Sequence, residues 1–566
     1  MMLKEIVNTR GLKGVAMLVV MVATVQNLIA QSRPDYAPPL NIPMVMSGSF
    51  CESRSEHFHT GIDIKTQGVV GHTLHSIADA RLYRMKIRAG GYGNALYLRN
   101  ADSTITLYGH MHRFRDDIQE FARHLQYQNE SWFLDTIFEQ SVYTFKKGEI
   151  IGYAGNSGRS GGPHLHFEIR LPPDQNVIDP QQFWYFKDDI PPEFRKLAFY
   201  DLDADHKTEA ERSFLRPAGE VKDRSIRLEA GNWGIGTEIM DRMNGTYNRY
   251  GIIELVMRLD GDTVYHSHIK EFPWKYQKYT EAWFDAYYLE TEKIHVQRCF
   301  REKGNHAMMF EQLRDDGIIK LAAGERKNVE ITARDGAGNW SSFAFTILGV
   351  ENTRSGLQEG KLLSTGKSAT LPFEGAFVYL PAGALYRDTH IDVSCRRNAA
   401  GEIEGWDFRD HYYAFMEAFS FSVDGSAVPS EYRNRTVLIR ERNDDESCLL
   451  GYWQGPYYTV KTDEAGFFSL DVDTVSPKLS GSRMRDSASF VGHTSIQYRV
   501  SEELSGLDTY NAWIDGKWVL LEHKSKSDKL IYKFDNHVTK GRWHNWKIQV
   551  SDAAGNISED SAVFYY

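Results

Sequence analysis

The sequence contains no dense run of basic residues and no long apolar segment beyond its N-terminus. Lys and Arg together number 66 against 76 Asp and Glu, which gives a formal net charge of −10. A nucleic-acid-binding protein presents clustered positive charge, so this balance argues against a nucleic-acid partner. The mild acidity indicates solubility rather than a particular ligand. Because no later stretch is apolar enough, no transmembrane segment is predicted in the mature chain.

Cysteine is also scarce, with 4 among 566 residues. Cys51, Cys299, Cys395 and Cys448 lack the C-x-x-C spacing that is typical of a cysteine metal site. An even count permits disulfides in an exported protein, and Cys395 could pair with Cys448 inside one module. Four cysteines allow three connectivities, and buried free thiols account for the sequence equally well.

The first 30 residues have the pattern of a signal peptide. Lys4, Arg10 and Lys13 supply a positive start, and residues 14–25 form an apolar run that is too short to span a bilayer. Ala30 is a small residue near which cleavage could occur, and the alternative is an uncleaved anchor. The mature chain is therefore expected to be exported, either to a periplasm or as a secreted, envelope-associated protein.

Residues 161–168 read Gly-Gly-Pro-His-Leu-His-Phe-Glu. In an extended strand, alternate side chains point to opposite faces, so His164, His166 and Glu168 would share one face. Two imidazoles on a rigid strand suit a metal site, because only neutral ring nitrogens need to converge. The apolar residues between them would face a hydrophobic core.

Two upstream segments offer partners for these histidines. His59 and Asp63 are four apart in HTGID, where a glycine and two isoleucines favour a strand over a helix. Alternation across residues 103–112 places Tyr108, His110 and His112 on one face. The glycine-rich loop at 155–162 lacks the Gly-Lys-Ser/Thr ending of a phosphate loop and precedes a strand, which excludes a phosphate site.

These motifs together resemble the M23 family of zinc metallopeptidases, the lysostaphin-like or LytM-type peptidoglycan endopeptidases. The motifs that carry the resemblance are HTGID at 59–63, GGYGN at 90–94, YGH at 108–110, GEIIGYAGNSG at 148–158 and GPHLHFE at 162–168. The resemblance covers roughly residues 45–170.

The resemblance implies a Zn²⁺ site in which His59, Asp63 and His166 are the ligands. Three protein ligands leave the fourth position for water, which is typical of a catalytic zinc. His110 and His164 would then be general base and transition-state stabiliser, in an order that the sequence leaves open. Glu168 is expected to support the ligands through a hydrogen bond.

The implied partner is the peptide stem of peptidoglycan, and analogy favours a D-alanyl cross-link over pentaglycine. A non-catalytic cell-wall-binding scaffold or amidase activator is one alternative function, and a zinc peptidase that acts on proteins is another. A domain that has kept the fold and lost activity is disfavoured, because all five motif positions are filled.

The sequence departs from the family at residues 113–140, where apolar residues recur at helical spacing. One or two short helices are predicted as an insertion. They could line the substrate groove, cover it, or dock the downstream modules.

The predicted fold class is mainly β, with a LytM-like antiparallel peptidase domain at residues 31–188 and β-sandwich-like modules at 189–350, 351–472 and 473–566. The sequences DGAGN at 335–339 and DAAGN at 552–556 each favour a tight turn between two strands. With an Asp…Pro opening before each module, they predict two related β-sandwiches. The modules could hold the enzyme near the wall or an envelope protein. His266 and His268 form a second H-x-H that we assign to a structural strand.

Overall fold

A computed structural model of the chain describes residues 34–54, 57–173, 175–203, 213–222, 225–307, 309–352, 362–391, 393–408, 415–442, 445–481 and 483–566. The predicted signal peptide at 1–30 lies outside these residues. The predicted mainly-β fold class is confirmed, with 49% strand and 10% helix. Within the described ranges, no helix combines the length and the apolar character needed to cross a membrane.

The N-terminal region is built around one large antiparallel sheet and a smaller one. Its elements are β1 Met46–Gly48, β2 Ile62–Lys65, β3 Thr73–His75, β4 Ala80–Ile87, β5 Ala95–Asn100, β6 Ile105–Gly109, β7 Arg113–Phe114, α1 Asp116–Gln128, β8 Leu134–Ile137, β9 Thr144–Phe145, β10 Ile150–Tyr153, β11 His164–Leu171, β12 Asn176–Ile178 and a 3₁₀ turn Pro180–Phe183. The large sheet runs β1-β2-β11-β6-β5-β4-β8, and the small one β3-β10-β7. Strand β11 therefore lies between β2 and β6.

The register of β11 brings the separated motifs together. His166 pairs with Asp63 on β2 and with Gly109 on β6. The other face of β11 carries Leu165, Phe167 and Ile169, all fully buried. The alternation read from the sequence thus separates a core face from a polar face.

Residues 113–140 contain a single helix, and the helical prediction for their second half is wrong. Only α1 is helical, while β8 pairs with β4 at the edge of the large sheet. A short run with apolar residues such as Trp132, Phe133 and Ile137 fits an edge strand as well as a helix. Pairing with β4 decides between the two.

The second unit is a β-sandwich that shares a core with the N-terminal region. Its elements are β13 Glu193–Asp201, β14 Ser213–Pro217, α2 Ala218–Val221, β15 Ser225–Glu229, β16 Gly231–Met240, β17 Glu254–Leu259, β18 Asp262–His268, β19 Glu271–Phe272, a 3₁₀ turn Trp274–Lys278, α3 Thr280–Trp283, α4 Ala286–Glu292, β20 Val296–Arg298, β21 Phe310–Leu313, a 3₁₀ turn Asp315–Gly317, β22 Ile319–Leu321, β23 Arg326–Arg334 and β24 Trp340–Val350. Strand β19 pairs with β12 of the N-terminal sheet. The ring of Phe58 packs on Phe272, Trp283 and Phe284. The aromatic-rich segment at 272–288 is therefore the surface that joins the two units.

Two further sandwiches follow. Residues 362–472 contain β25 Leu362–Leu363, β26 Ala369–Phe373, β27 Ala376–Leu380, β28 Thr389–His390, β29 Ser394–Arg397, β30 Ile403–Asp407, β31 Phe419–Asp424, a 3₁₀ turn Ser430–Arg435, β32 Thr436–Arg442, β33 Asp445–Leu449, β34 Tyr452–Gln454, β35 Tyr457–Thr462 and β36 Phe467–Val472. The last unit contains β37 Lys478–Gly481, β38 Ala488–Ser489, β39 Ser495–Ser501, β40 Leu507–Ile514, β41 Lys517–Val519, β42 Leu521–Lys524, a 3₁₀ turn Ser525–Ser527, β43 Lys529–Lys533, β44 Trp543–Asp552 and β45 Ile557–Tyr565.

The second and the last unit have the same strand order in one sheet. The order β15-β24-β23-β17-β18 in the second recurs as β38-β45-β44-β40-β41 in the last. In both, the edge pair is parallel and all other pairs are antiparallel. The short DxAGN repeat in the sequence therefore marks two sandwiches of one topology.

The four cysteines are free thiols. Cys395 on β29 and Cys448 on β33 lie on the two edge strands of the sheet β29-β30-β36-β32-β33. Four strand spacings separate them by about 19 Å. A disulfide requires Cα atoms within about 7 Å, so this pairing is excluded.

The last unit folds back onto α1. The ring of Tyr127 stacks on His537 with centroids 4.0 Å apart and meets Trp518 edge-on at 5.4 Å. The Tyr127 hydroxyl donates a hydrogen bond to Asp535. Trp132, after the helix, packs against Tyr510 and His523. Of the three roles considered for the insertion, docking a downstream module is the one observed.

Candidate metal centre

His59, Asp63 and His166 converge on one point. His59 Nε2 lies 3.1 Å from Asp63 Oδ1, His166 Nδ1 lies 2.9 Å from the same oxygen, and the two nitrogens are 3.0 Å apart. All three side chains are buried, at 4%, 8% and 5% exposure. Two strands and the turn before β2 supply them, which explains how residues about 100 positions apart can meet.

Each of the two imidazoles is oriented by a hydrogen bond from its other nitrogen. His59 Nδ1 donates to the main-chain oxygen of Ser49 at 2.7 Å, and His166 Nε2 donates to Glu168 Oε1 at 2.8 Å. These bonds direct His59 Nε2 and His166 Nδ1 towards Asp63. Outer acceptors of this kind fix the tautomer and the ring orientation of histidine ligands in metal sites.

Glu168 is the centre of a buried support network. It is completely buried and also accepts hydrogen bonds from Tyr92 Oη at 2.6 Å and Thr60 Oγ1 at 2.7 Å. Its second oxygen accepts from Arg170 Nε at 2.6 Å. Burial alone raises the pKa of a carboxyl, but Arg170 and His166 hold the pKa of Glu168 far below its usual range. The carboxylate is therefore ionised at neutral pH.

The electrostatics of the site favour a positive charge between the ligands. Burial raises the pKa of a carboxyl, yet His59, His164 and His166 keep the pKa of Asp63 well below its usual range. Burial lowers the pKa of an imidazole, but Asp63 and Glu168 raise the pKa of His166 to about 9. The negative charge of Asp63 and Glu168, which favours the protonated form of His166, would equally stabilise a cation bound between His59, Asp63 and His166.

His110 and His164 lie beside the three converging residues, and His164 Nε2 lies 3.4 Å from Asp63 Oδ1. Their ring centroids are 4.8 Å apart, and His110 lies 5.9 Å from the ring of His166. His110 Nδ1 donates to the main-chain oxygen of Ser157 at 2.8 Å, and His164 Nδ1 donates to that of Gly162 at 2.9 Å. Burial, with the nearby His166 and His164, lowers the pKa of His110 to about 3, so its ring stays neutral. Their roles remain predictions.

His110 does not lie on a strand, in contrast to the alternation expected for residues 103–112. Strand β6 ends at Gly109, and His110 has a left-handed backbone with φ 55°. A non-glycine residue in this conformation is strained and is held there by its surroundings. Tyr108 points into the core and is fully buried, whereas His112 is exposed.

The loop at 155–160, which orients both of these histidines, is held by the last unit. Lys526 Nζ donates to the main-chain oxygens of Asn156 and Ser160, each at 2.7 Å. Ser160 Oγ in turn lies 3.2 Å from His164 Nδ1. The C-terminal module is thus in contact with the loop that orients His110 and His164.

Sequence reasoning missed Arg54, Tyr92, Thr60 and Arg170 as parts of the site. Arg170 could have been predicted from the sequence, because it continues the alternation of His166 and Glu168 on one strand face. Tyr92 and Arg54 come from loops, and only the folded chain brings them to the site.

Arg54 fixes the carboxylate of Asp63. Its Nη2 lies 2.8 Å from Asp63 Oδ2 and 2.7 Å from Glu52 Oε1, while Asp63 Oδ1 faces the two histidines. Because Oδ2 is bonded to Arg54, only Oδ1 of Asp63 is directed towards His59 and His166.

Replacing Arg54 with Met is expected to weaken zinc binding about 10- to 100-fold, because Asp63 loses the bond that orients it. Competition titration against a chromophoric zinc chelator measures the change. The exposed Arg227 on β15 provides a matched control, since Arg227→Met removes an arginine far from the site. Equal zinc affinity in the Arg54 and Arg227 variants would show that Arg54 does not orient a ligand.

Comparison with known proteins finds curated relatives that match about a fifth of this chain. The DD-carboxypeptidase/endopeptidase Mpg of Neisseria meningitidis is 34% identical over 113 residues, which cover 20% of this chain and 20% of that protein. An uncharacterized metalloprotease of Haemophilus influenzae is 28% identical over 113 residues, covering 20% of this chain and 18% of its own length. The chain thus spans about a fifth of the length of these curated relatives. No family model matches.

Solved structures similar to the chain include two peptidase domains. The catalytic domain of the prophage-encoded M23 protein EnpA from Enterococcus faecalis is 25% identical, with a TM-score of 0.18, and covers 24% of this chain and 88% of its own. The catalytic domain of lysostaphin from Staphylococcus simulans is 21% identical, with a TM-score of 0.17, and covers 25% and 88%.

Proposed function

We propose that the N-terminal region of this chain is an M23-type metallopeptidase domain and that the protein is an exported zinc-dependent endopeptidase that hydrolyses peptide cross-links of bacterial peptidoglycan. The observation that carries the proposal is the convergence of His59, Asp63 and His166 beside two further histidines. Export is supported by the charged and apolar pattern of residues 1–30.

The residues present fit zinc. Tetrahedral zinc with bonds of about 2.0–2.1 Å separates its ligand atoms by about 3.3 Å. The three candidate ligand atoms lie 2.9–3.1 Å apart and consist of two imidazole nitrogens and one carboxylate oxygen. This donor set and spacing are those of a catalytic zinc site with one position open. When bound, zinc would lower the pKa of a water molecule and polarise the scissile carbonyl.

The protein's own residues would perform proton transfer and charge stabilisation. The Nδ1 atoms of His110 and His164 are both committed to main-chain oxygens, so each ring can present Nε2 to the reacting centre. One can accept a proton from the attacking water, and the other, once protonated, can hydrogen-bond the developing oxyanion. Glu168, Tyr92 and Arg54 would keep the ligands in place.

A D,D cross-link is the first substrate to test. The related protein from Neisseria meningitidis is named a DD-carboxypeptidase/endopeptidase, which supports this choice for the matching 113 residues. The downstream sandwiches would then hold the catalytic region near the wall or an envelope partner.

Digestion of purified peptidoglycan by the mature chain is expected to release uncross-linked muropeptides, identified by mass spectrometry. Treatment with 1,10-phenanthroline should abolish release, because the site loses its metal, and added Zn²⁺ should restore it. Casein serves as the parallel substrate. Cleavage of casein but not peptidoglycan would favour the protein peptidase instead, and wall binding without cleavage would favour the scaffold.

A further inference from the structure

Two of the sandwiches each carry a trio of clustered carboxylates that lies outside the peptidase motifs. In the second unit the trio is Asp188, Asp241 and Asp335, and in the last unit it is Asp473, Glu502 and Asp552. Within each trio, one ligand atom from every residue lies within 4.8 Å of the others. Four of the six residues are almost fully buried, at 1–2% exposure: Asp241, Asp335, Asp473 and Asp552.

The two trios occupy the same place in the common topology. Asp188 and Asp473 lie in the segments that enter the modules, before β13 and β37. The second carboxylate directly follows the strand that pairs with this first strand: Asp241 follows β16, and Glu502 follows β39. The third begins the DxAGN turn between the last two strands. A chance acidic cluster would not recur at three equivalent positions.

An asparagine in each turn ties the cluster together. Asn339 Nδ2 donates to the main-chain oxygen of Asp188 at 3.3 Å and to Asp335 Oδ2 at 3.0 Å. Asn556 Nδ2 donates to the main-chain oxygen of Asp473 at 2.9 Å and to Asp552 Oδ2 at 2.9 Å. The entry segment and the final turn are therefore held in one geometry in both modules.

Each trio also contains a buried carboxylate oxygen without a partner. Asp241 Oδ1 in the second unit and Asp473 Oδ2 in the last accept no hydrogen bond. Burying an unpaired charged oxygen costs several kcal/mol unless a counter-charge compensates it. Among the described residues, neither trio has a salt bridge to Lys, Arg or His, whereas Glu254 of a third cluster is paired with His266.

In a third cluster of the same chain, the negative charge of the carboxylate is compensated by a neighbouring arginine. Glu254, His266 and His268 also lie within ligand distance of one another. Here Arg334 bonds to Glu254, and its Nη2 lies 3.2 Å from His268 Nε2. This cluster is neutralised from within, whereas the two trios are not.

We propose that each trio binds one Ca²⁺ ion, which is a function separate from the zinc peptidase. Ca²⁺ prefers oxygen ligands at 2.3–2.6 Å, so two oxygens on one ion stand up to about 5 Å apart. In each trio, one oxygen from every residue lies within this span of the others. A ligand set of carboxylates without imidazole or thiolate disfavours zinc and copper. Each ion would tie the segment that enters the module to its final turn.

Isothermal titration of the full chain, loaded with zinc and dialysed free of calcium, tests the stoichiometry. We expect two Ca²⁺ per chain in the wild type, with a Kd in the 0.1–1 mM range that is typical of extracellular modules. Asp241→Asn and Glu502→Gln should each leave one ion bound, and the double variant none. Neighbouring carboxylates provide matched controls: Asp189→Asn and Glu503→Gln should retain two.

A melting experiment separates ion binding from a purely structural role. Without calcium, Asp241→Asn should raise the Tm, because it removes a carboxyl whose pKa burial and the nearby Asp335 and Asp188 raise to about 8. With calcium, the Tm of the wild type should rise and that of this variant should rise less.

A chain that shows no saturable calcium binding up to about 10 mM, or a double variant that keeps two ions, would overturn the proposal. So would a Tm that is independent of calcium in the wild type and lowered by Asp241→Asn in both buffers. Peptidoglycan digestion is scored separately, so failure here leaves the zinc mechanism standing.

Discussion

Replacing His166 with Ala is expected to abolish zinc binding and to lower kcat/KM on peptidoglycan by about 10⁴-fold. His166 Nδ1 lies within 3.0 Å of His59 Nε2 and 2.9 Å of Asp63 Oδ1, so its loss opens the donor set. The metal contributes several kcal/mol to transition-state stabilisation, and each 1.36 kcal/mol is tenfold in rate. Metal analysis and muropeptide release rates measure the two effects together.

The chain contains its own control for this substitution. His268 belongs to a second H-x-H on β18, where it lies beside Arg334 rather than beside the peptidase motifs. His268→Ala should retain zinc and activity. If the His166 variant hydrolysed peptidoglycan at the wild-type rate without zinc, the assignment of the metal centre would be wrong.

Replacing Glu168 with Ala is expected to destabilise the N-terminal region by about 3–5 kcal/mol, the cost of breaking a buried ion pair from one side. Arg170, only 4% exposed, would lose its carboxylate partner. Tyr92, Thr60 and His166 would lose an acceptor as well. Hydrogen exchange of the β11 amides reports on this region alone, which avoids assuming that the multi-domain chain unfolds in one step.

The contribution of Glu168 to the stability of the fold depends on pH. Its pKa in the folded chain is lowered, because Arg170 and His166 outweigh the opposing effect of burial. Stability from this carboxylate is therefore complete above the pKa of an unfolded glutamate, about 4.3, and falls as the pH drops towards the lower folded value. The Ala variant should lack this acid-dependent loss.

The double variant Glu168→Leu with Arg170→Met separates charge from packing. Removing both charges should recover part of the lost stability, since no unpaired ion remains buried. If the double variant were less stable than Glu168→Ala, the cost would lie in packing rather than in an uncompensated arginine.

The central strand of the site could be predicted from sequence because its pattern is local. Alternation along residues 164–169 separates polar from apolar positions, and β11 buries Leu165 and Phe167 as expected. The same reasoning failed at His110, because strand β6 ends one residue earlier and the chain turns with φ 55°. Tertiary contacts with the 155–160 loop, rather than periodicity, fix that residue.

The rest of the site depends on contacts between distant segments. Arg54 reaches Asp63 from a loop without regular structure, and nothing in its sequence context distinguishes it from a surface arginine. The second half of the 113–140 insertion was mispredicted because Leu134–Ile137 pairs with β4, a contact that periodicity does not contain. By contrast, the DxAGN repeat correctly marked two modules, because the turn chemistry and the strand order recur together.

The contact of Lys526 with the loop at 155–160 makes the geometry around His110 and His164 depend on a distant module. Its three hydrogen bonds join residues that are 370 and 366 positions apart in the sequence. A chain cut before residue 473 keeps His59, Asp63 and His166 but lacks this support for the loop that orients His110 and His164. That loop therefore reaches its full set of contacts only when the module at 473–566 has folded against the N-terminal region.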